Sequence, residues 1–309
     1  MPNDGMFVPC PTGIFEWTGS PQGWRRVRST VQPVSNDTAE TTPPIDPLQG
    51  ICDDLQAETA DLVRILVPLT AALWDSETPS EGWTIRDQVG HLAFFDETGT
   101  LAATDEEAFR ASAAELMKAN DPGAAGLDRA RSMKPAELLS WFMSVRGSMI
   151  ATFRALDGKT RLPWYGPAMA ATSFATARLM ETWAHGQDIA DTVGANRTAT
   201  DRLKHIAHIG VRARPFSYAT NRREVPDGAV RVTLRAPSGG MWSWNDDAGD
   251  ANTVAGDALD FCLMVTQRRH VSDTNLVVSG PLAEEWVAIA QAFAGGPGTG
   301  RQPGQFATA

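Results

Sequence analysis

The chain has 309 residues, 42% of them hydrophobic and 21% charged, the proportions of a globular protein with room for one large or two ordinary domains. A net charge of −10 and the lack of any basic stripe argue against nucleic acid as a partner. No apolar run is long enough to span a bilayer and no signal-peptide pattern opens the chain. Cys10, Cys52 and Cys262 are scattered, with neither CxxC spacing nor a disulfide framework, so the expected compartment is the reducing cytoplasm.

Residues 1–45 are rich in Pro, Gly, Ser, Thr and Asn without a lasting period, and end in TAETTPPIDP. They read as a disordered or loosely docked extension, within which FVPCPTGIFEWTG could form a short strand. From Leu48 the period is helical: Ile51, Leu55, Thr59, Leu62, Ile65 and Leu66 recur three or four apart. Pro79 and Gly82 then break the chain, and Thr84 with Asp87 three residues on predicts an N-cap and capping box for a second helix from Ile85 through Thr100 or beyond. Further helical stretches fall near 105–119 and 135–157. A loop with Pro163, Gly166 and Pro167 leads into a long helix over about 172–193, closed by Gly194. Four main helices in up-down order, over 46–198, predict a four-helix bundle.

After about residue 200 the texture changes. DRLKHIAHIGVRARP reads as helix. AVRVTLRAP, MWSWND and NTVAG read as short strands, VAGDALDFCLMVTQRR as helix, NLVVSG as strand, and PLAEEWVAIAQAF as a last helix with Pro in its first turn. Residues 199–294 thus form a small α+β unit, the whole chain is α+β, and GGPGTGRQPGQFATA (295–309) reads as a flexible tail.

The chemistry concentrates on the helix 172–193. At 100° per residue, Phe174, Arg178, Glu181, His185, Asp188 and Thr192 share one sector, while Leu179, Trp183 and Ala190 lie opposite. Both sides have something to bury, so the polar stripe is expected to face a cavity, where charged groups must be paired or bound to a metal. Glu181 and His185 are i and i+4, one turn apart on one face. A third ligand must come from elsewhere, and the second helix offers His91 among Val89, Leu92, Phe94 and Phe95. Two imidazoles and a carboxylate suit Zn²⁺, Ni²⁺ or Fe²⁺. From spacing alone the same residues also fit an ordinary Glu–His helix pair and a satisfied core histidine.

GWTIRDQVGHL, followed about ninety residues on by ETWAHGQDIA, resembles the paired signature of the DinB-like four-helix bundles, and within them the mycothiol-dependent maleylpyruvate isomerase type. The resemblance spans roughly 48–294. The strings HLAFFDE, PWYGPAMAATSFATARLMETWAHGQD and DFCLMVTQRRHV are similar to an actinobacterial subfamily of metal-binding proteins. It implies that His91, Glu181 and His185 are the metal ligands and that the C-terminal unit is sterol-carrier-like. It also implies a low-molecular-weight thiol, mycothiol in actinobacteria, as co-substrate. The thiol would add to a small electrophile in a transferase or cis–trans isomerase reaction, and no cysteine of this chain falls in the motif.

Other residues of the stripe and its surroundings are candidates for supporting roles. Arg178 could meet a substrate carboxylate and Asp188 could orient a ligand. Each is equally suited to pairing within the bundle. Trp164 and Tyr165 could wall the cavity where the thiol binds. His205 and His208, i and i+3 on the linking helix, could approach its mouth or be surface histidines. No GxSxG elbow, GxGxxG loop or Walker loop is present. The readings that compete with a thiol-using enzyme are a thiol-independent metal-dependent hydrolase or cyclase, and a non-catalytic metal or ligand binder. Either a monomer or a homodimer is compatible with the sequence.

Overall fold

The computed structural model describes residues 7–10, 13–17, 24–27, 47–118 and 126–306. The chain divides into two units, Met1–Ile45 and Asp46–Ala309. Most of the N-terminal extension lies outside the described residues. Within it, FVPCPTGIFEWTG forms two strands rather than one, β1 (Phe7–Cys10) and β2 (Gly13–Trp17), and β3 (Trp24–Val27) completes an antiparallel sheet in the order β1-β2-β3.

In the second unit, α1 (Pro47–Leu66) buries Leu48, Ile51, Cys52, Leu55, Thr59, Leu62 and Leu66, the stripe its period predicts. A short α2 (Ala71–Trp74) leads to α3 (Ile85–Thr104). The capping box forms as expected: Asp87 N donates to the Thr84 hydroxyl, and Thr84 N donates to Asp87 Oδ2 at 2.9 Å. Then come α4 (Glu106–Leu116), α5 (Leu127–Ser132) and α6 (Pro135–Arg154). A two-residue hairpin, β4 (Arg161–Leu162) with β5 (Met169–Ala170), closes the Pro-rich loop and delivers the chain to α7 (Ala171–Val193). Gly194 ends α7 at φ 65°, a left-handed C-cap that costs other residues strain. The four helices of twenty or more residues pack as a ring, α1 against α6 and α7, and α3 against α6 and α7.

Beyond the ring, α8 (Leu203–Arg212) and α9 (Arg214–Thr220) replace the single helix expected there. Pro215 has no N–H to continue the ladder and its ring would strike the carbonyl four residues back, so the helix breaks at Ala213. Strands β6 (Arg231–Arg235), β7 (Met241–Trp244), β8 (Thr253–Asp257) and β9 (Val277–Ser279) form a sheet in the order β7-β6-β8-β9. The β6–β8 pair is parallel and its flanks are antiparallel. Helices α10 (Ala258–Val265) and α11 (Pro281–Val287) complete the unit. α11 is shorter than its sequence suggests because tertiary partners capture the following N–H groups: Gln291 N donates to Ser217 Oγ and Ala292 N to Val265 O. One apolar core runs from Leu48 and Leu55 of α1 through Trp183 of α7 and Ile206 of α8 to Val232, Val254, Phe261 and Trp286, so sheet and helices share their burial.

The segment after 294 differs from the free tail its Gly/Pro content suggests. Gly298 N donates to Gln291 Oε1, Arg301 pairs with Asp188, Gly304 N donates to the Asp273 carboxylate, and Arg269 lies 4.2 Å from the Phe306 ring centroid. Residues 295–306 are held on the body by specific polar anchors, which composition does not display.

Candidate functional site

α3 and α7 are neighbours in the ring, and their contact sets the site. α3 supplies His91; α7 supplies Glu181 and His185. One ligand atom from each lies within 4.8 Å of the others. His185 Nε2 is 3.2 Å and His91 Nε2 3.9 Å from Glu181 Oε2. His185 is buried, while His91 and Glu181 keep 14% and 19% of their side chains exposed, so the cluster sits within the buried stripe of α7, between Arg178 and Asp188, with one side open. Burial alone would raise the Glu181 carboxyl. The His185 hydrogen bond and the charges of His185, His91 and Arg178 overcome it and bring the carboxyl down to about 2, so this oxygen is an anion over the working pH range. Two imidazole nitrogens and an ionised carboxylate at these separations are a donor set able to hold a divalent ion with positions to spare.

Aromatic rings surround the cluster. Trp83, in the loop before α3, stacks on His185 with centroids 5.8 Å apart and planes 13° from parallel, and tilts against His91 at 5.2 Å. Phe95 lies 4.6 Å from His91, one turn along α3. The hairpin loop adds Trp164 and Tyr165, each facing Phe95, at 6.0 and 5.7 Å. Trp164 packs further on Phe109 and Phe174, and Tyr165 bonds Thr98, with burial pushing its hydroxyl up. The two loop residues therefore continue the aromatic wall away from His91.

Arg178 and Asp188 share the ligand face of α7, and both are engaged with protein groups. Arg178 donates to Asp96 Oδ1 at 3.0 Å and to Leu92 O at 3.2 Å. Arg146 takes the other Asp96 oxygen at 2.7 Å and donates to Thr59 and Thr182, a fully buried polar knot inside the ring. Asp188 accepts from Ser80 Oγ, Arg268 and Arg301, joining α7 to three distant segments. The linking-helix histidines point elsewhere: His205 pairs with Asp54 of α1 at 2.8 Å, and His208 accepts from Trp244 Nε1 of β7.

One residue escaped the sequence reading. Gln88 is fully buried and its Oε1 meets His185 Nδ1. The available signal was an amide three residues before His91, next to Val89 and one turn before Leu92 on the same helix.

These features define a helix-rich α+β protein with a His₂Glu cluster held between two helices of a four-helix ring. The family model described as the mycothiol maleylpyruvate isomerase N-terminal domain matches residues 55–190, which contain all three cluster residues. Two curated Mycobacterium tuberculosis proteins, Uncharacterized protein MT0041 and Uncharacterized protein Rv0036c, are each 46% identical over 253 residues, covering 80% of this chain and 96% of theirs. The chain belongs to the mycothiol maleylpyruvate isomerase N-terminal domain family. Crystal structures of the mycothiol-dependent maleylpyruvate isomerase and of a single-site mutant of it share the fold. Their TM-scores are 0.51 and 0.53 at 15% and 17% identity, over 75% of this chain and 93% of theirs. Among the described residues no helix is long and apolar enough to cross a membrane.

Proposed function

We propose that this chain binds one divalent ion, Zn²⁺ ahead of Ni²⁺ or Fe²⁺, through His91, Glu181 and His185, and uses a low-molecular-weight thiol of the mycothiol type to transfer to, or isomerise, a small electrophile. The observation that carries the reading is the convergence of the three ligand atoms within 4.8 Å on facing helices. The family and its mycothiol-dependent structural relatives support the thiol. When bound, such an ion supplies positive charge that lowers the pKa of an adjacent thiol. The chain's own residues do the rest. Glu181 stays ionised, Trp83 and Phe95 hold the imidazoles between rings and limit water, and Trp164 and Tyr165 offer a flat apolar wall to the reactants. Arg178 and Asp188 hold the site together through their buried partners rather than meeting substrate. The chain's described thiols are poor nucleophiles: Cys52 and Cys262 are buried, and burial pushes the Cys262 thiol up.

In this reading the four-helix ring, 46–198, is a DinB-like bundle and 199–294 a sterol-carrier-like unit, working in the cytoplasm as monomer or homodimer. The test is metal content by plasma mass spectrometry on wild type and His185→Ala, then turnover of maleylpyruvate and of chlorinated and epoxide electrophiles with mycothiol. Stoichiometric metal lost in the mutant, and thiol-dependent turnover lost with it, are expected. A wild type without metal, or turnover that survives His185→Ala, would defeat the reading.

A further inference from the structure

The contacts of Gln88 lead further than burial. We propose that Gln88 is a positioning residue that holds a proton on Nδ1 of His185 and so dedicates Nε2 to the ion; this deepens, and rests on, the reading of His185 as a ligand. The assignment follows from donors and acceptors along one chain of hydrogen bonds. Trp83 O is a carbonyl and only accepts, so the Thr78 hydroxyl donates to it, at 2.8 Å. With its proton committed, Thr78 Oγ1 accepts from its other neighbours, Ser80 N–H at 3.3 Å and Gln88 Nε2 at 2.9 Å. That fixes the amide: Nε2 faces Thr78, and Oε1 is the atom against His185 Nδ1. A carbonyl oxygen only accepts, so Nδ1 carries a proton. Nε2, which faces Glu181 Oε2 at 3.2 Å, is then the nitrogen left for an ion, whose binding would displace any proton it shares with the carboxylate.

The chain begins at the loop that places Trp83 on His185, so the loop backbone sets both the stacking and the protonation of the same ring. Gln88 and Thr78 are both buried, which keeps water from substituting for either. A partner on the non-ligating nitrogen of a metal-bound histidine orients the ring, and its loss weakens binding about 10- to 100-fold.

The experiment is nitrogen-15 NMR of the histidine side chains in metal-stripped full-length protein, with zinc affinity measured in parallel on the same samples. His185 is assigned by its disappearance in His185→Ala. Wild type should show a hydrogen-bonded, slowly exchanging proton on Nδ1 of His185. Gln88→Leu should lose it and bind zinc about 10- to 100-fold more weakly. Gln88→Glu, which keeps an acceptor in place, should retain it. Thr78→Val, which frees the amide to flip, should weaken the Nδ1–H signal without touching Gln88, and serves if Gln88→Leu fails to fold. A wild-type His185 protonated on Nε2 alone would overturn the inference, as would unchanged signal and affinity in both Gln88→Leu and Thr78→Val. Wild type that shows the Nδ1 proton yet binds no zinc would uphold the hydrogen-bond chain and defeat the metal reading instead.

Discussion

Asp188→Ala removes one fully buried carboxylate from between two guanidinium groups. In the native structure Asp188 meets Arg268 at 2.8 Å, Arg301 at 2.5 Å and Ser80 Oγ at 3.0 Å, and the arginine side chains are only 9% and 11% exposed. Stranding a buried charge costs about 3–5 kcal/mol. The two arginines are not equally stranded. Arg268 keeps Ala184 O at 3.2 Å and Thr266 O at 2.7 Å. Arg301 sits in the C-terminal segment, outside any helix or strand, and can swing into water. The loss should therefore fall at the low end, about 3 kcal/mol, read as a lower urea midpoint at unchanged m. Arg301→Ala leaves the carboxylate paired with Arg268 and should cost less, and the double mutant should cost less than the sum, because both act at one contact. Acid adds a second check. Burial pushes the Asp188 carboxyl up, but Arg268, Arg301 and His185 outweigh it, and the group is held below its ordinary 3.8. A depressed carboxyl stabilises the fold above that ordinary value and loses its contribution as pH falls through the folded value, so wild type and Asp188→Ala should converge in stability in acid. A loss under about 1 kcal/mol, the worth of an exposed pair, with no convergence, would refute the buried clamp.

Three further outcomes follow from the geometry. Glu181 titrates at about 2 in the fold against an ordinary 4.5, so between those values the unfolded chain binds more protons. The metal-free wild type should gain stability with rising pH there more steeply than Glu181→Gln, as urea titrations at stepped pH will show. At Gly90 a new Cβ would run into Ala130 Cβ where α5 crosses α3. Gly90→Ala should destabilise by about 1–3 kcal/mol despite alanine's better helix propensity, and a stabilised variant in thermal melts would mean that α5 does not sit there. Trp164→Ala opens the aromatic wall next to Phe95 while leaving the three cluster residues in place. Metal content should be unchanged and KM for an apolar electrophile should rise more than kcat falls, a split that steady-state kinetics will resolve.

The helical elements of the ring and the Glu181–His185 pair of the cluster were largely legible in the amino-acid order because both rest on local periodicity. The stripe of α1, the Thr84–Asp87 capping box, the Gly194 stop, and Glu181 with His185 one turn apart are short-range patterns, and the strand runs of β6 to β9 are too. His91 could be named because a lone imidazole among Val89, Leu92 and Phe95 needs a partner, and the resemblance of GWTIRDQVGHL and ETWAHGQDIA to one family said where.

Tertiary contacts decided the rest. Which of two plausible jobs Arg178 and Asp188 take depends on partners 82, 80 and 113 residues away, Asp96, Arg268 and Arg301, and no local spacing encodes those pairings. The C-terminal segment looked free because Gly and Pro advertise backbone freedom, while its anchors are single polar groups meeting distant acceptors. α11 ended early because Ser217 and Val265 took its amide protons. The part Gln88 plays is not legible in the sequence because an amide shows its purpose only when both of its ends have neighbours, and those neighbours, Thr78 and His185, come from a loop and a second helix. Periodicity announces which face of a helix is buried; what a buried polar group does there is set by the donors and acceptors that folding brings to it.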